Sequence, residues 1–248
     1  MLQAPTQDVR SPVRWNDDGK FRHTMYDTPV SMSSLTLFID LCSHRKIIAC
    51  VDQGKTLALA EISDHTDEAD LMPAIERLLS SIPVHNRSGR SISSAIDRIA
   101  AISGPGGFMS QRVEMSLGNA LSWGLRIPIA GIHLSDVWAA RVSKSLTPIP
   151  TPESFLWLHS TQKTSLFIRG FGTCKTEWPE PTLISLDDAR KRIPPDTIMI
   201  GELIPEHCLH FTLLPADKMK PIEDVLQELC ERATYGNPPM LPWYGRGI

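Results

Sequence analysis

The feature that most constrains the fold is a glycine-rich turn between a short apolar run and a long helical pattern. Residues 103–112 read SGPGGFMSQR and follow an apolar run at 99–102. The glycines lack a Cβ atom, so the backbone can turn sharply and another group can approach the first N–H groups of the helix. Such a helix N-terminus can bind an anion. The pattern matches neither the P-loop GxxxxGK[ST] nor the dinucleotide-binding GxGxxG. The sequence is therefore compatible both with a tight structural turn and with an anion-binding site.

The chain around this turn predicts strands and helices in alternation. The first three apolar runs, separated by short polar turns, predict an antiparallel meander. The predicted strands are 35–39, 47–51, 56–62, 99–102, 127–132, 155–158, 165–171 and 198–200, and the predicted helices are 70–82, 108–125, 134–142, 187–191 and 225–233. A proline-rich stretch at 148–152 predicts a linker, and no internal sequence repeat is apparent. This order indicates an α/β protein with two unequal lobes.

Composition excludes several classes of protein. The 248 residues are 42% hydrophobic and 21% charged, with a net charge of −3, so a broadly basic nucleic-acid binder is not expected. Five widely spaced cysteines without a CxxC pair argue against a disulfide framework or a zinc ribbon. No apolar run approaches the roughly 20 residues that cross a bilayer, and no signal peptide is visible at the N-terminus. We therefore expect a cytoplasmic protein without a membrane partner.

The helix predicted at 108–125 combines an apolar stripe with small residues. The stripe predicts a side that faces the core, and it consists of Phe108, Val113, Leu117, Leu121 and Leu125. The small residues are Ser116, Gly118 and Ala120. Small residues let two helix backbones approach closely, although glycine costs about 1 kcal/mol relative to alanine inside a helix. Close packing within one domain and contact with a partner helix both explain this composition.

Several segments together resemble the TsaB (YeaZ) family. These segments are LFIDLCS, LMPAIERLL, GPGGFMSQR and GNALSWGLRIPIAGIHLSDVWA. The family pattern near the turn is approximately GPGSFTGLR, and Gly104, Pro105, Gly106, Phe108 and Arg112 match it. Further matches are Ile127, Pro128, Gly131 and Leu134, with weaker similarity at 155–171, 198–202 and 242–246. The family comprises small actin-like subunits of the bacterial machinery that makes N6-threonylcarbamoyladenosine (t6A) in tRNA. The resemblance implies an actin-like, ribonuclease H-like (ASKHA) α/β fold with lobes at 34–133 and 134–248. Residues 1–33 lie outside the resemblance, and their polar composition predicts a poorly ordered extension.

The sequence offers no residue set for catalysis. Asp40 could begin a phosphate loop, but no glycine follows before Gly54, and the second half has no Asp-x-Gly segment. The larger paralogue of the resembled family binds metal through an HxxxH pair, and no two histidines here have that spacing. His207 and His210 are separated by two residues, and their apolar flanks predict a strand, which would direct them to opposite faces. We therefore expect no catalytic residue, no metal ion and no cofactor.

The resemblance implies a non-catalytic dimerisation subunit. In the family, the first two helices of the small subunit pack against the equivalent helices of a larger, catalytic TsaD-like paralogue. This assigns ten residues to the partner interface: Leu71, Ile75, Leu78, Phe108, Arg112, Met115, Ser116, Gly118, Asn119 and Ala120. Gly118→Leu or Ala120→Arg is then predicted to abolish partner binding while the monomer still folds.

Other interpretations remain open. Asp40 with Gly104, Gly106 and Gly107 could make a weak nucleotide contact in a degenerate actin-like phosphotransferase. The chain could also be a homodimeric scaffold with no role in tRNA modification. A TsaE-like small P-loop ATPase is a second candidate partner, and strong direct binding of tRNA is not expected.

Overall fold

Two β-sheets with helices against them make up the part of the chain that the computed structural model describes. The described residues are 34–52, 55–63, 66–82, 96–142, 153–237 and 239–245, and they belong to one compact unit, Ser33–Ile248. The predicted extension at 1–33 and the proline-rich stretch at 148–152 lie outside them. No helix among these residues is long and apolar enough to cross a membrane.

The first sheet has five strands in the order β3-β2-β1-β4-β5. They are β1 (Thr36–Asp40), β2 (Ile47–Asp52), β3 (Lys55–Glu61), β4 (Arg98–Gly104) and β5 (Ile129–His133). The first three strands form the predicted antiparallel meander, whereas β4 runs parallel to both β1 and β5. Leu37 and Ile39 of β1 pack in one core, and Phe38 packs in the other. Both faces of this sheet are therefore covered, as is usual where strands are parallel.

Helices connect and cover the strands of the first sheet. They are α1 (Leu71–Ser80), α2 (Phe108–Leu125) and α3 (Leu134–Val142). The apolar residues of α1 pack with Leu37 and Ile39 in one core. Asp70 directly precedes α1, and its side chain makes no capping hydrogen bond. α2 begins directly after the glycine-rich turn and ends at Arg126, which has a left-handed φ of 56°.

The second sheet repeats the order of four of the five strands of the first. Its strands are β6 (Phe155–His159), β7 (Ser165–Phe171), β8 (Thr182–Ser185) and β9 (Met199–Glu202), in the order β8-β7-β6-β9. β6, β7 and β8 form an antiparallel meander and β9 is parallel to β6, as β4 is to β1. Trp157 and Ile200 of this sheet share an apolar cluster with Phe38 of the first. The structure thus contains a topological repeat that no sequence repeat indicates.

The C-terminal half also holds α4 (Leu186–Arg192), α5 (Pro205–Cys208) and α6 (Leu226–Arg232). The helices predicted at 187–191 and 225–233 are confirmed. The strand predicted around His207 is wrong, because Pro205 is well suited to begin a helix and α5 forms there. His207 is buried and its Nε2 lies 2.9 Å from the Lys163 carbonyl oxygen. His210 is exposed, so these two histidines have different surroundings.

Candidate functional site

The glycine-rich turn is closed by other parts of the chain. Gly104 has a φ of 132°, and a Cβ atom there would collide with the amide of Gln111 and with the carbonyl oxygen of Trp243. A Cβ atom on Gly106 would lie 2.7 Å from the Cβ of Cys42. Both glycines are therefore required by packing within the chain. This geometry favours the tight strand-to-helix turn over an open anion site.

Asp40 ends β1 beside this turn and is buried. Its Oδ1 accepts hydrogen bonds from the backbone N–H groups of Cys42 and Ser43, at 3.0 and 2.9 Å. Its Oδ2 has no hydrogen-bond partner among the described atoms. Burial, with a smaller contribution from the charge of Glu202, raises the pKa of Asp40 from 3.8 to about 7. The geometry gives Asp40 a role in shaping the end of β1, and its burial separates it from solvent.

Glu114 joins α2 to the ends of two strands. It is fully buried. Its Oε2 accepts a hydrogen bond from the Leu41 N–H at 2.7 Å, and its Oε1 accepts one from the Ile102 N–H at 2.5 Å. Burial raises the pKa of Glu114 well above its usual 4.5, and the nearby Asp40 raises it further. This side chain fixes the position of α2 relative to β1 and β4.

Two amides on α2 hold the C-terminal segment of the chain. The Nε2 of Gln111 donates to the carbonyl oxygens of Ser103 and Trp243, at 2.7 and 2.6 Å. The amide of Asn119 donates to the Met240 carbonyl oxygen at 2.9 Å and accepts from the Met240 N–H at 2.8 Å. The inner side of α2 therefore contacts other segments of this chain and holds them in place.

The opposite side of α2 is exposed and carries large apolar side chains. We call it the outer face; it consists of Phe108, Met109, Arg112, Ser116, Ala120 and Trp123. Trp123 is 85% exposed, and Phe108 and Met109 are each 60% exposed. The guanidinium of Arg112 lies 5.3 Å from the centre of the Phe108 ring. Large apolar groups clustered on an exposed helix face are typical of a protein interaction surface.

The predicted interface residues divide between the outer face and the interior. Phe108, Arg112, Ser116 and Ala120 lie on the outer face, so the prediction that Phe108 faces the core is wrong. The other residues of the predicted stripe are partly buried against the core. Five predicted interface residues are buried in this chain: Leu71, Ile75, Leu78, Met115 and Gly118. A Cβ atom on Gly118 would lie 3.0 Å from the Cδ1 of Ile129. Gly118→Leu would therefore disturb packing within the monomer, which makes it unsuitable for testing an interface.

A second polar cluster lies where the two sheets meet. His44 follows β1, and its ring centre lies 5.4 Å from that of His159. The backbone N–H of His44 donates to Oε1 of Glu202 at 2.9 Å. His159 and Glu202 are paired across the parallel strands β6 and β9. These three residues could together hold a metal ion.

The residues that organise both sites carry little signal in the local sequence. Gln111 and Glu114 read as ordinary surface polar residues between the apolar positions of α2, because their partners are backbone groups of other segments. His159 and Glu202 come together only through the pairing of β6 with β9. In the sequence, His159 and Glu202 are marked only by their position, since each lies at the end of an apolar run.

The second sheet repeats the order of four strands of the first, and the two sheets share one apolar cluster. This arrangement is consistent with an actin-like (ASKHA) fold. Residues 61–189, just over half of the chain, match the family model described as "TsaD: tRNA N6-adenosine threonylcarbamoyltransferase". The chain belongs to this family. The matched region contains the glycine-rich turn and α2.

Solved structures support the fold. A crystal structure of "an uncharacterized protein with similarity to peptidase YEAZ from Pseudomonas aeruginosa" is 18% identical in sequence, with a TM-score of 0.60, and the match covers 86% of this chain and all of that one. "YeaZ from Pseudomonas aeruginosa" is also 18% identical, with a TM-score of 0.57 and coverage of 85% and 99%. No curated protein matches the chain. The resemblance to the TsaB (YeaZ) family is confirmed by these matches.

Proposed function

We propose that this protein is a non-catalytic subunit required for t6A modification of tRNA, and that it pairs with a larger, catalytic TsaD-like paralogue. Membership of the family supports the link to t6A. The observation that carries the pairing is the outer face of α2, where exposed large apolar side chains lie at both ends of a stretch of small residues. The TsaD-like partner supplies the catalytic residues and, given the net charge of −3 of this chain, most of the basic surface for tRNA.

The closed turn supports a non-catalytic role. A nucleotide-dependent phosphotransferase would need room for phosphate in front of the turn. Cys42 contacts the position where Gly106 would carry a side chain, and the Trp243 carbonyl oxygen does the same at Gly104. Asp40 is buried, and its Oδ1 is bonded to backbone N–H groups. These contacts favour a scaffold over the phosphotransferase alternative.

The outer face suits a helical partner. Ser116 and Ala120 form a shallow strip that would let a partner helix approach closely. Phe108 and Trp123 stand near the two ends of this strip and would insert beside the partner helix. Aromatic residues commonly carry much of the binding energy of an interface. An arginine at position 120 would place a long charged side chain in the strip without disturbing the buried side of α2.

Light scattering on a sizing column tests the pairing. The full chain is mixed with the large paralogue from the same genome, and we expect a one-to-one complex. Ala120→Arg should weaken it at least about 100-fold, which corresponds to about 2.7 kcal/mol. Ala216→Arg is the matched control, because it makes the same change at an exposed alanine outside α2. Normal complex formation by Ala120→Arg, or a homodimer that does not bind the paralogue, would contradict the proposal.

Trp123 provides a second readout of the same contact. Its indole is largely exposed, so burial by a partner should shift its fluorescence emission to shorter wavelength. The shift should be absent in Trp123→Phe. An unchanged emission spectrum in a complex that light scattering detects would mean that the partner binds elsewhere.

A further inference from the structure

The cluster formed by His44, His159 and Glu202 has no role in the pairing proposed above. One ligand-capable atom from each residue lies within 4.8 Å of the others. His44 belongs to the segment after β1, whereas His159 and Glu202 end strands of the second sheet. The cluster therefore spans the junction between the two sheets.

His159 is buried without the hydrogen bonds that an imidazole normally makes. It is fully buried, and neither ring nitrogen has a hydrogen-bond partner among the described atoms. Its Nδ1 lies 3.2 Å from Oε1 of Glu202, but the two groups are not aligned for a hydrogen bond. The ring stacks on Trp157, with centres 5.9 Å apart and planes inclined by 1°. An unpaired buried polar group lowers the stability of the folded state. A ligand that binds the imidazole nitrogen would offset this loss.

The hydrogen bonds of the other two residues leave each of them with an atom that can bind a metal ion. The Nε2 of His44 lies 3.0 Å from the carbonyl oxygen of Ser160 and must donate to it, which leaves the lone pair on Nδ1. Histidines that bind metals usually donate their second ring N–H in this way. The carboxylate of Glu202 is fixed by the hydrogen bond from the backbone N–H of His44.

We propose that His44, His159 and Glu202 bind one divalent transition-metal ion, and that Zn²⁺ fits the site best. Two imidazoles and one carboxylate are a common ligand set for Zn²⁺, with the fourth position left to water. Ligand atoms around tetrahedral zinc lie about 3.3 Å apart, closer than the 4.8 Å limit of this cluster. His44 is exposed, so rotation of its ring toward buried His159 and half-buried Glu202 can bring the ligand atoms to this spacing. The bound ion would connect the segment after β1 to the ends of β6 and β9 in the second sheet.

Calorimetric titration of the full-length chain with ZnCl₂, after removal of metals by chelation, tests the proposal. We expect one ion per chain and no binding of Mg²⁺, which prefers oxygen ligands. His44→Ala should weaken Zn²⁺ binding more than about 100-fold, since even loss of an outer partner costs 10-fold to 100-fold. Glu202→Gln should weaken it similarly. Zn²⁺ should raise the Tm of the wild type and leave that of His44→Ala unchanged.

Two control variants separate this site from adventitious binding. Cys208 and His210 are exposed metal-ligating side chains outside the cluster. Cys208→Ser and His210→Ala should bind Zn²⁺ as the wild type does. The metal-free Tm of each variant is the baseline for its response to Zn²⁺, because His44→Ala also removes the hydrogen bond to Ser160. The proposal is overturned if the wild type binds no Zn²⁺, if His44→Ala keeps wild-type affinity, or if either control variant abolishes binding.

Discussion

Replacement of Glu114 tests whether the buried carboxyl anchors α2. Glu114→Ala would leave the N–H groups of Leu41 and Ile102 buried without an acceptor, and each unsatisfied group costs about 1–3 kcal/mol. We expect the free energy of unfolding to fall by about 4 kcal/mol, a large fraction of the 5–15 kcal/mol typical of a domain. Glu114→Gln keeps an acceptor for one of the two N–H groups and should cost about 2 kcal/mol.

Urea unfolding followed by circular dichroism measures these losses. The matched control is Glu228→Ala on α6, where the carboxylate pairs with Arg232 at the surface. That variant should cost at most about 0.5 kcal/mol. A loss of less than about 1 kcal/mol for Glu114→Ala, with an unchanged denaturant slope, would refute the anchoring role. Equal losses in Glu114→Ala and Glu114→Gln would refute the assignment of one acceptor oxygen to each strand.

Three further predictions follow from particular contacts. Burial raises the pKa of Asp40 to about 7, so the folded state favours the neutral carboxyl. The free energy of unfolding should therefore fall by about 4 kcal/mol as pH rises from about 4 to about 7. Urea midpoints measured with a chelator should show this loss, and Asp40→Asn should reduce it. Asn119→Ala removes both hydrogen bonds to Met240 and should lower the free energy of unfolding by about 1–2 kcal/mol. Limited proteolysis should then cleave the C-terminal segment faster than in the wild type, and unchanged cleavage would contradict the contact. Arg126→Gly relieves a left-handed residue at the end of α2 and should raise stability by about 0.5–1 kcal/mol, measured as a higher Tm; a lower Tm would count against it.

Local patterns were sufficient to predict α2 and the first meander. The glycine-rich turn marks where α2 begins, and alternating apolar runs with short turns identify β1, β2 and β3. These signals lie within a few residues of the elements that they specify. The bounds predicted for α2, 108–125, are those of the structure.

Long-range contacts explain what the sequence could not predict. Glu114 is buried because it bonds to Leu41, which is 73 positions away. The second sheet repeats the order of the first through backbone pairing, which many sequences can satisfy, so no sequence repeat is needed. The cluster of His159 and Glu202 depends on the register between β6 and β9, and a register is not visible in one strand alone.

The outer face could be predicted only in part. Helical spacing places Phe108, Arg112, Ser116 and Ala120 along one side, and the resemblance assigned all four to a partner. Whether that side faces the core depends on which polar residues of α2 make hydrogen bonds in the protein interior. Gln111 and Glu114 make such hydrogen bonds. Their side of α2 therefore faces the interior, and Phe108 faces outward.

The most direct test of the account is the t6A content of tRNA from host cells that lack this gene, measured by mass spectrometry of nucleosides. The account predicts that deletion removes t6A, that the wild type and Ala216→Arg restore it, and that Ala120→Arg fails to restore it at equal protein levels. Normal t6A in the deletion strain, or full restoration by Ala120→Arg, would contradict the central claim that the chain acts through the outer face of α2.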